Sequence, residues 1–273
     1  MSALFRLGPL LALLLVLAAP VRATDDIEHL FDALELDRLI DLMHDEGLAY
    51  GNGLAQEMLP DGPDAAWRAL LARIYDTDKM TNVVRSEFTR AFGDADAGPL
   101  IAFFRSDAGQ ALVAAELETR ATFLTPTIEE AARETWREAD KTSPRQRLIA
   151  EYVQVNDLLE YNVSGALNAN YQFLAGLVEG GALDMTEDEI LSDVWTQEAE
   201  TRADTREWLF AYLTMAYEDL PDATLADYVA VSRTDAGRAL NRALFAGFDS
   251  MYATQSRSLG LAVASRMARG EEL

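Results

Sequence analysis

The stretch Arg105-Ser106-Asp107-Ala108-Gly109-Gln110-Ala111-Leu112 returns 128 residues later as Arg233-Thr234-Asp235-Ala236-Gly237-Arg238-Ala239-Leu240. The flanks agree as well: Asp94-Ala95 aligns with Asp222-Ala223, Ala102 with Ala230 and Ala115 with Ala243, ten identities over the 22 positions 94–115 without a gap. Each copy sets a hydroxyl residue, an acid and a glycine at fixed spacing behind an apolar segment. Ser106 and Thr234 suit an N-cap, whose side-chain oxygen accepts free amides of the first helical turn. Asp107 and Asp235 then sit in that turn, where negative charge complements the helix dipole. Gly109 and Gly237 lack a Cβ, so the preceding helix passes close to the new one. The motif reads as a helix corner, and these six residues as structural. A repeat of this length makes the chain two copies of one helical module.

Apolar spacing extends the helical reading outward. Leu36, Ile40, Met43, Gly47, Tyr50, Leu54 and Met58 recur at threes and fours, as do Met80, Val83, Val84, Phe88 and Phe92, and Trp208, Leu209, Tyr212, Met215 and Ala216. No segment alternates in the manner of a strand. Pro60-Asp61-Gly62-Pro63-Asp64 is a turn opening a helix with Trp67, Leu70, Leu71 and Ile74. Thr186 and Glu189 form a capping box, Ser143-Pro144 suits an N-cap and first helical position, and Pro126 divides a helix running from about 107 to 140. The expected architecture is all-α, two related antiparallel helical bundles in tandem, over 24–140 and 141–273 with the boundary at Asp140-Lys141-Thr142-Ser143.

The ends and the charge narrow the location. Arg6, the apolar run Leu7 to Ala19 and the small residues of Val21-Arg22-Ala23 make residues 1–23 a secretory signal peptide cleaved near Ala23. That run is short of the roughly 20 residues that span a bilayer, and no other stretch is long and apolar enough. The chain has no cysteine, so disulfides and lipid attachment of the bacterial lipoprotein kind are excluded. A periplasmic or secreted protein is expected, without stable membrane insertion after cleavage. Removing residues 1–23 takes away Arg6 and Arg22 and no acid, leaving 21 basic and 46 acidic residues and a net charge of −25. Such a chain repels nucleic acid and anionic lipid.

Phe103-Phe104-Arg105-Ser106-Asp107-Ala108-Gly109-Gln110 resembles the aromatic-aromatic-x-Ser-x-x-Gly-Gln signature of domain-of-unknown-function family 2059, exported all-helical bacterial proteins. The resemblance covers the greater part of the first module. The second copy departs from it, with Val231 and Ser232 for the aromatic pair and Arg238 for the Gln. It implies an all-α fold and an envelope location, and it brings no catalytic residues.

Candidate chemistry is sparse. The histidines are His29 and His44, with no His-Glu-x-x-His pattern, so a zinc site lacks its ligands; His44 with Asp41 and Asp45 is the nearest approach to a metal site. Asp94-Ala95-Asp96-Ala97-Gly98 begins like a calcium loop but has its glycine one position early and Arg105 at position twelve. No Gly-x-Ser-x-Gly elbow or glycine-rich phosphate loop is present. Glu129, Glu130, Glu134 and Glu138 read as a solvated face. Tyr152, Tyr161, Tyr171 and Phe173 read as core. Gly47, Gly51 and Ala55 form a small-residue stripe for close packing, in this chain or with a partner. Asn162-Val163-Ser164 matches a glycosylation pattern by coincidence in a bacterial protein.

No catalytic, cofactor or metal residue is expected, and the first functional expectation is a non-catalytic interaction or scaffold protein of the cell envelope. It entails no cluster of perturbed carboxylates. The alternative is a binding protein for an apolar or cationic small molecule, which entails an apolar pocket of several hundred cubic ångströms with a few convergent polar groups. A carboxylate-dependent envelope hydrolase is a third, entailing two facing acids.

Overall fold

A computed structural model describes residues 20–59 and 61–271. The leader expected over 1–23 lies outside these residues except for its end, and so does Pro60. The chain is all-α, with no strand among the described residues. The first half consists of α1 (Pro20–Ala33), α2 (Leu36–Met58), α3 (Ala65–Ile74), α4 (Thr77–Phe92), α5 (Gly98–Phe104), α6 (Asp107–Phe123) and α7 (Pro126–Glu138). The second consists of α8 (Pro144–Val155), α9 (Leu158–Glu179), α10 (Glu187–Thr196), α11 (Glu198–Ala216), α12 (Asp222–Ser232) and α13 (Asp235–Glu271). No helix among the described residues is long and apolar enough to cross a membrane.

Local chemistry sets the boundaries. Asp64 opens α3 by accepting the Trp67 amide at 2.6 Å, and Ser143 opens α8 by accepting from Gln146. Thr186 and Glu189 exchange hydrogen bonds at the start of α10, 2.8 and 3.3 Å long. Pro126 stands at the first position of α7, where its missing amide costs nothing, and so divides α7 from α6.

Both copies of the repeated motif turn the chain in the same way. Ser106 Oγ accepts from the Gly109 amide at 3.1 Å and donates to the Phe103 carbonyl at 2.6 Å. Thr234 Oγ1 accepts from Gly237 at 2.9 Å and donates to the Val231 carbonyl at 2.7 Å. A Cβ on Gly109 would stand 2.2 Å from the Phe103 oxygen, and one on Gly237 2.2 Å from the Val231 oxygen. Asp107 and Asp235 lie in the first turns of α6 and α13.

The stripe of α4 is buried at Met80, Val84, Phe88 and Phe92. On α2 the buried line runs Leu36, Ile40, Met43, Gly47, Gly51, Ala55, while Tyr50 is 60% exposed. The reason is the small-residue stripe, which packs within the chain: a Cβ on Gly47 would meet the Tyr75 ring at 2.3 Å, and one on Gly51 would meet Leu71 at 2.6 Å. That contact turns Tyr50 outward.

Helix α13 is the spine of the molecule. It crosses α9 with backbones in contact, so that a Cβ on Gly260 would lie 2.2 Å from the Phe173 oxygen. Four hydrophobic clusters fill the interior among the described residues, and each draws on both sides of residue 140. The cluster around Leu30, Phe88 and Phe104 takes in Leu240 and Ala243. The one around Trp67, Leu71 and Val84 takes in Met251, Leu259 and Val263. Leu112 joins Ile149, Leu213 and Tyr217, and Phe123 joins Ala211. The two segments share their cores.

Candidate functional site: an acidic, aromatic cavity

Between α2, α6, α9, α11, α12 and α13 lies a cavity of about 490 Å³. Its wall is mostly carbon, and its polar groups begin on α6. That helix carries Leu112, Val113, Glu116, Leu117 and Arg120, adjacent pairs that recur one helical turn on and so share one face. The leucines and Val113 are buried, so Glu116 is carried into the interior with them. The Tyr217 hydroxyl donates to Glu116 Oε1 at 2.5 Å, and the Tyr212 hydroxyl donates to the Glu116 main-chain oxygen at 2.7 Å. Tyr217 is 1% exposed. Burial pushes the Glu116 carboxyl up to about 7, against the lowering effect of the Tyr217 hydrogen bond.

A second acid comes from α13, where Phe245, Phe248, Asp249 and Tyr252 share a face of the helix and all line the cavity. The missing side chain at Gly165 leaves room for Asp249, whose Oδ1 would be 2.8 Å from a Cβ there. Asp249 has no hydrogen-bond or ion-pair partner among the described residues, and burial pushes its carboxyl up. The cation of the wall, Arg120, is already neutralised: it donates to both oxygens of Glu46, 2.7 Å each. Two carboxyls without a counter-charge therefore face this space.

Three stacked aromatic pairs complete the wall. Tyr152 and Tyr228 lie 4.6 Å apart, with the Tyr152 hydroxyl donating to that of Tyr228 at 2.9 Å. Tyr161 and Phe245 stack at 4.4 Å, and Trp208 and Tyr212 at 5.1 Å. Ring faces are electronegative and attract cations. The arrangement can take up a mainly apolar molecule and offers its charged part carboxyls and ring faces.

Other residues singled out by sequence lie elsewhere. Ser106, Asp107, Gly109, Thr234, Asp235 and Gly237 do not line the cavity. His29 is exposed, and His44 Nδ1 donates to the Tyr75 carbonyl at 2.5 Å. No group of three or more His, Asp or Glu side chains is placed to hold a metal among the described residues. Asp96 accepts from the Gly98 amide at 3.0 Å, at the start of α5. Glu129 and Glu130 pair with Arg133 and Arg137, which tie α7 to Asp204 and Glu207 of α11. Of the four aromatics read as core, Tyr152 and Tyr161 face the cavity, and Tyr171 bonds Glu187 at the surface. Asn162 also lines the cavity and donates to the Leu158 carbonyl within α9 at 2.7 Å. Spacing carried a signal for the two acids that reasoning on composition passed over: each interrupts an apolar helical stripe.

Residues 78–138 match the family described as uncharacterized protein conserved in bacteria (DUF2059). The matched span holds α5, α6 and the first corner, the region where the motif at 103–110 resembles that family. No curated protein and no solved structure matches the chain.

Proposed function

We propose that the protein is a non-catalytic binding protein of the bacterial cell envelope, exported by the leader at 1–23, which holds a mainly apolar small molecule bearing a positive charge. The observation that carries this reading is the pair of uncompensated carboxyls, Glu116 and Asp249, in a cavity of about 490 Å³ walled by aromatic and aliphatic side chains. A carboxyl held in apolar surroundings takes up a proton or needs a cation. An ammonium group supplies the cation, and stacking on Tyr or Trp adds about 0.5–2 kcal/mol. The acidic chain favours the same ligand, because its field concentrates cations and repels anions.

The scaffold reading leaves these two carboxyls without a role, which is why the small-molecule reading is preferred to it. The test is a titration of the mature protein, residues 24–273, with decyltrimethylammonium, decanol and decanoate, followed by calorimetry and by fluorescence of Trp208 in the cavity wall. The cation is expected to bind tightest. Replacing Glu116→Gln and Asp249→Asn together is expected to weaken the cation by about tenfold or more and decanol by less than about twofold. Decanoate binding as tightly as the cation would sink the proposal.

A further inference from the structure

Glu116 and Asp249 line one cavity but hold separate places in it. Burial raises each carboxyl, and neither is raised by the charge of the other. Two acids close enough to share one cation would push one of the pair up by repulsion. A single ammonium group bound at one acid therefore leaves the other without a counter-charge. Both are open to a ligand. Glu116 Oε2 and the two Asp249 oxygens take no hydrogen bond from the described residues, and none of the three is sealed from open space.

Each acid also has aromatic rings of its own. Tyr217, the donor to Glu116, packs edge-on against Tyr152 at 6.2 Å, and Tyr152 stacks on Tyr228. Tyr161 stands one turn before Gly165 on α9, and Phe245 one turn before Asp249 on α13. Their stacked rings thus border Asp249, which fills the space beside Gly165. A carboxylate beside aromatic rings is a setting that suits an ammonium group, and this cavity has two of them. The rest of its wall includes Leu213, Leu240, Leu244 and Phe248, which offer nothing polar.

We infer that the cavity takes an aliphatic diamine, one ammonium group at Glu116 and the other at Asp249, with the methylene chain against the apolar wall. The inference rests on the cation-binding reading of the same cavity and adds the second charge and its place. A divalent metal ion carries that charge but not the reach, since the two acids stand apart. A monoamine has the apolar chain but satisfies one acid alone. A diamine of the right length meets both, and the second contact forms without a second molecule losing its freedom.

The test is calorimetry on residues 24–273 at pH 8, above the Glu116 value of about 7. The ligands are 1,4-diaminobutane, 1,6-diaminohexane, 1,8-diaminooctane and 1,10-diaminodecane, each beside the alkylamine of equal chain length. A second ammonium group ordinarily weakens entry into an apolar cavity, because it must be desolvated. Here one chain length is expected to bind one molecule per chain, about tenfold or more tighter than its alkylamine. Glu116→Gln and Asp249→Asn, made singly, are each expected to cut that preference to about threefold or less. Alkylamines that bind as tightly as the diamines at every length would overturn the diamine and leave the cation site standing. A preference that survives in both single variants would overturn it equally. Binding of neither series would take down the cation site along with it.

Discussion

Glu116 sets the chemistry of its cavity against the stability of the fold. Its carboxyl titrates near 7 in the folded chain, against an ordinary value of 4.5. Between those values the folded state holds a proton that the unfolded state has released. Stability from this group is therefore greatest at acid pH, falls as pH rises through that window, and stays lowered above it. Glu116→Gln is expected to leave the melting temperature unchanged below about pH 4.5 and to raise it at pH 8. An equal rise at both pH values would show that the carboxyl does not titrate in this window. A bound cation should act in the same direction as the substitution at pH 8. Little of this was legible in sequence. The stripe of Leu112, Val113, Leu117 and Arg120 around Glu116 is visible, but its hydrogen-bond donor, Tyr217, is 101 residues away, and 46 acids conceal the two that matter.

The helix corners are the elements most fully legible, since a cap, an acid and a glycine act within four residues of one another. The same is true at Asp64, Ser143 and Thr186, where each cap reaches only its own first turn. The shared geometry of the two corners makes a paired prediction. Gly109→Ala and Gly237→Ala each force a Cβ to within 2.2 Å of a carbonyl oxygen, and each is expected to destabilise by about 1–3 kcal/mol in urea unfolding. A large loss at one and none at the other would mean that the corners differ in how they carry load. Where an element's placement depends on a distant neighbour, spacing alone misled. Tyr50 fits the stripe of α2 by position, yet Tyr75 and Leu71 press against Gly47 and Gly51 and rotate it to the surface.

For the molecule as a whole, helical periodicity announced an all-α chain, but it carries no record of which helix lies against which. The cores show the consequence. Leu240 and Ala243 pack with Phe88 and Phe104, Val263 with Trp67, and Ala211 with Phe123. Segments 24–140 and 141–273, made separately, are each expected to lack a cooperative thermal transition by circular dichroism, because each loses part of every cluster. A sharp transition in either segment alone would show that its helices suffice for a core.

The cluster around Phe88 is completed by Ala239, Leu240 and Ala243, and that around Trp67 by Met251, Leu259 and Val263, all on α13. The α13 members of these two clusters leave the ribosome after the members that all other helices supply. Neither of these two cores closes before α13 has been made, so Trp67 and Phe88 wait for that helix to complete their packing, whereas the cluster of Leu112, Ile149 and Tyr217 draws only on helices made earlier.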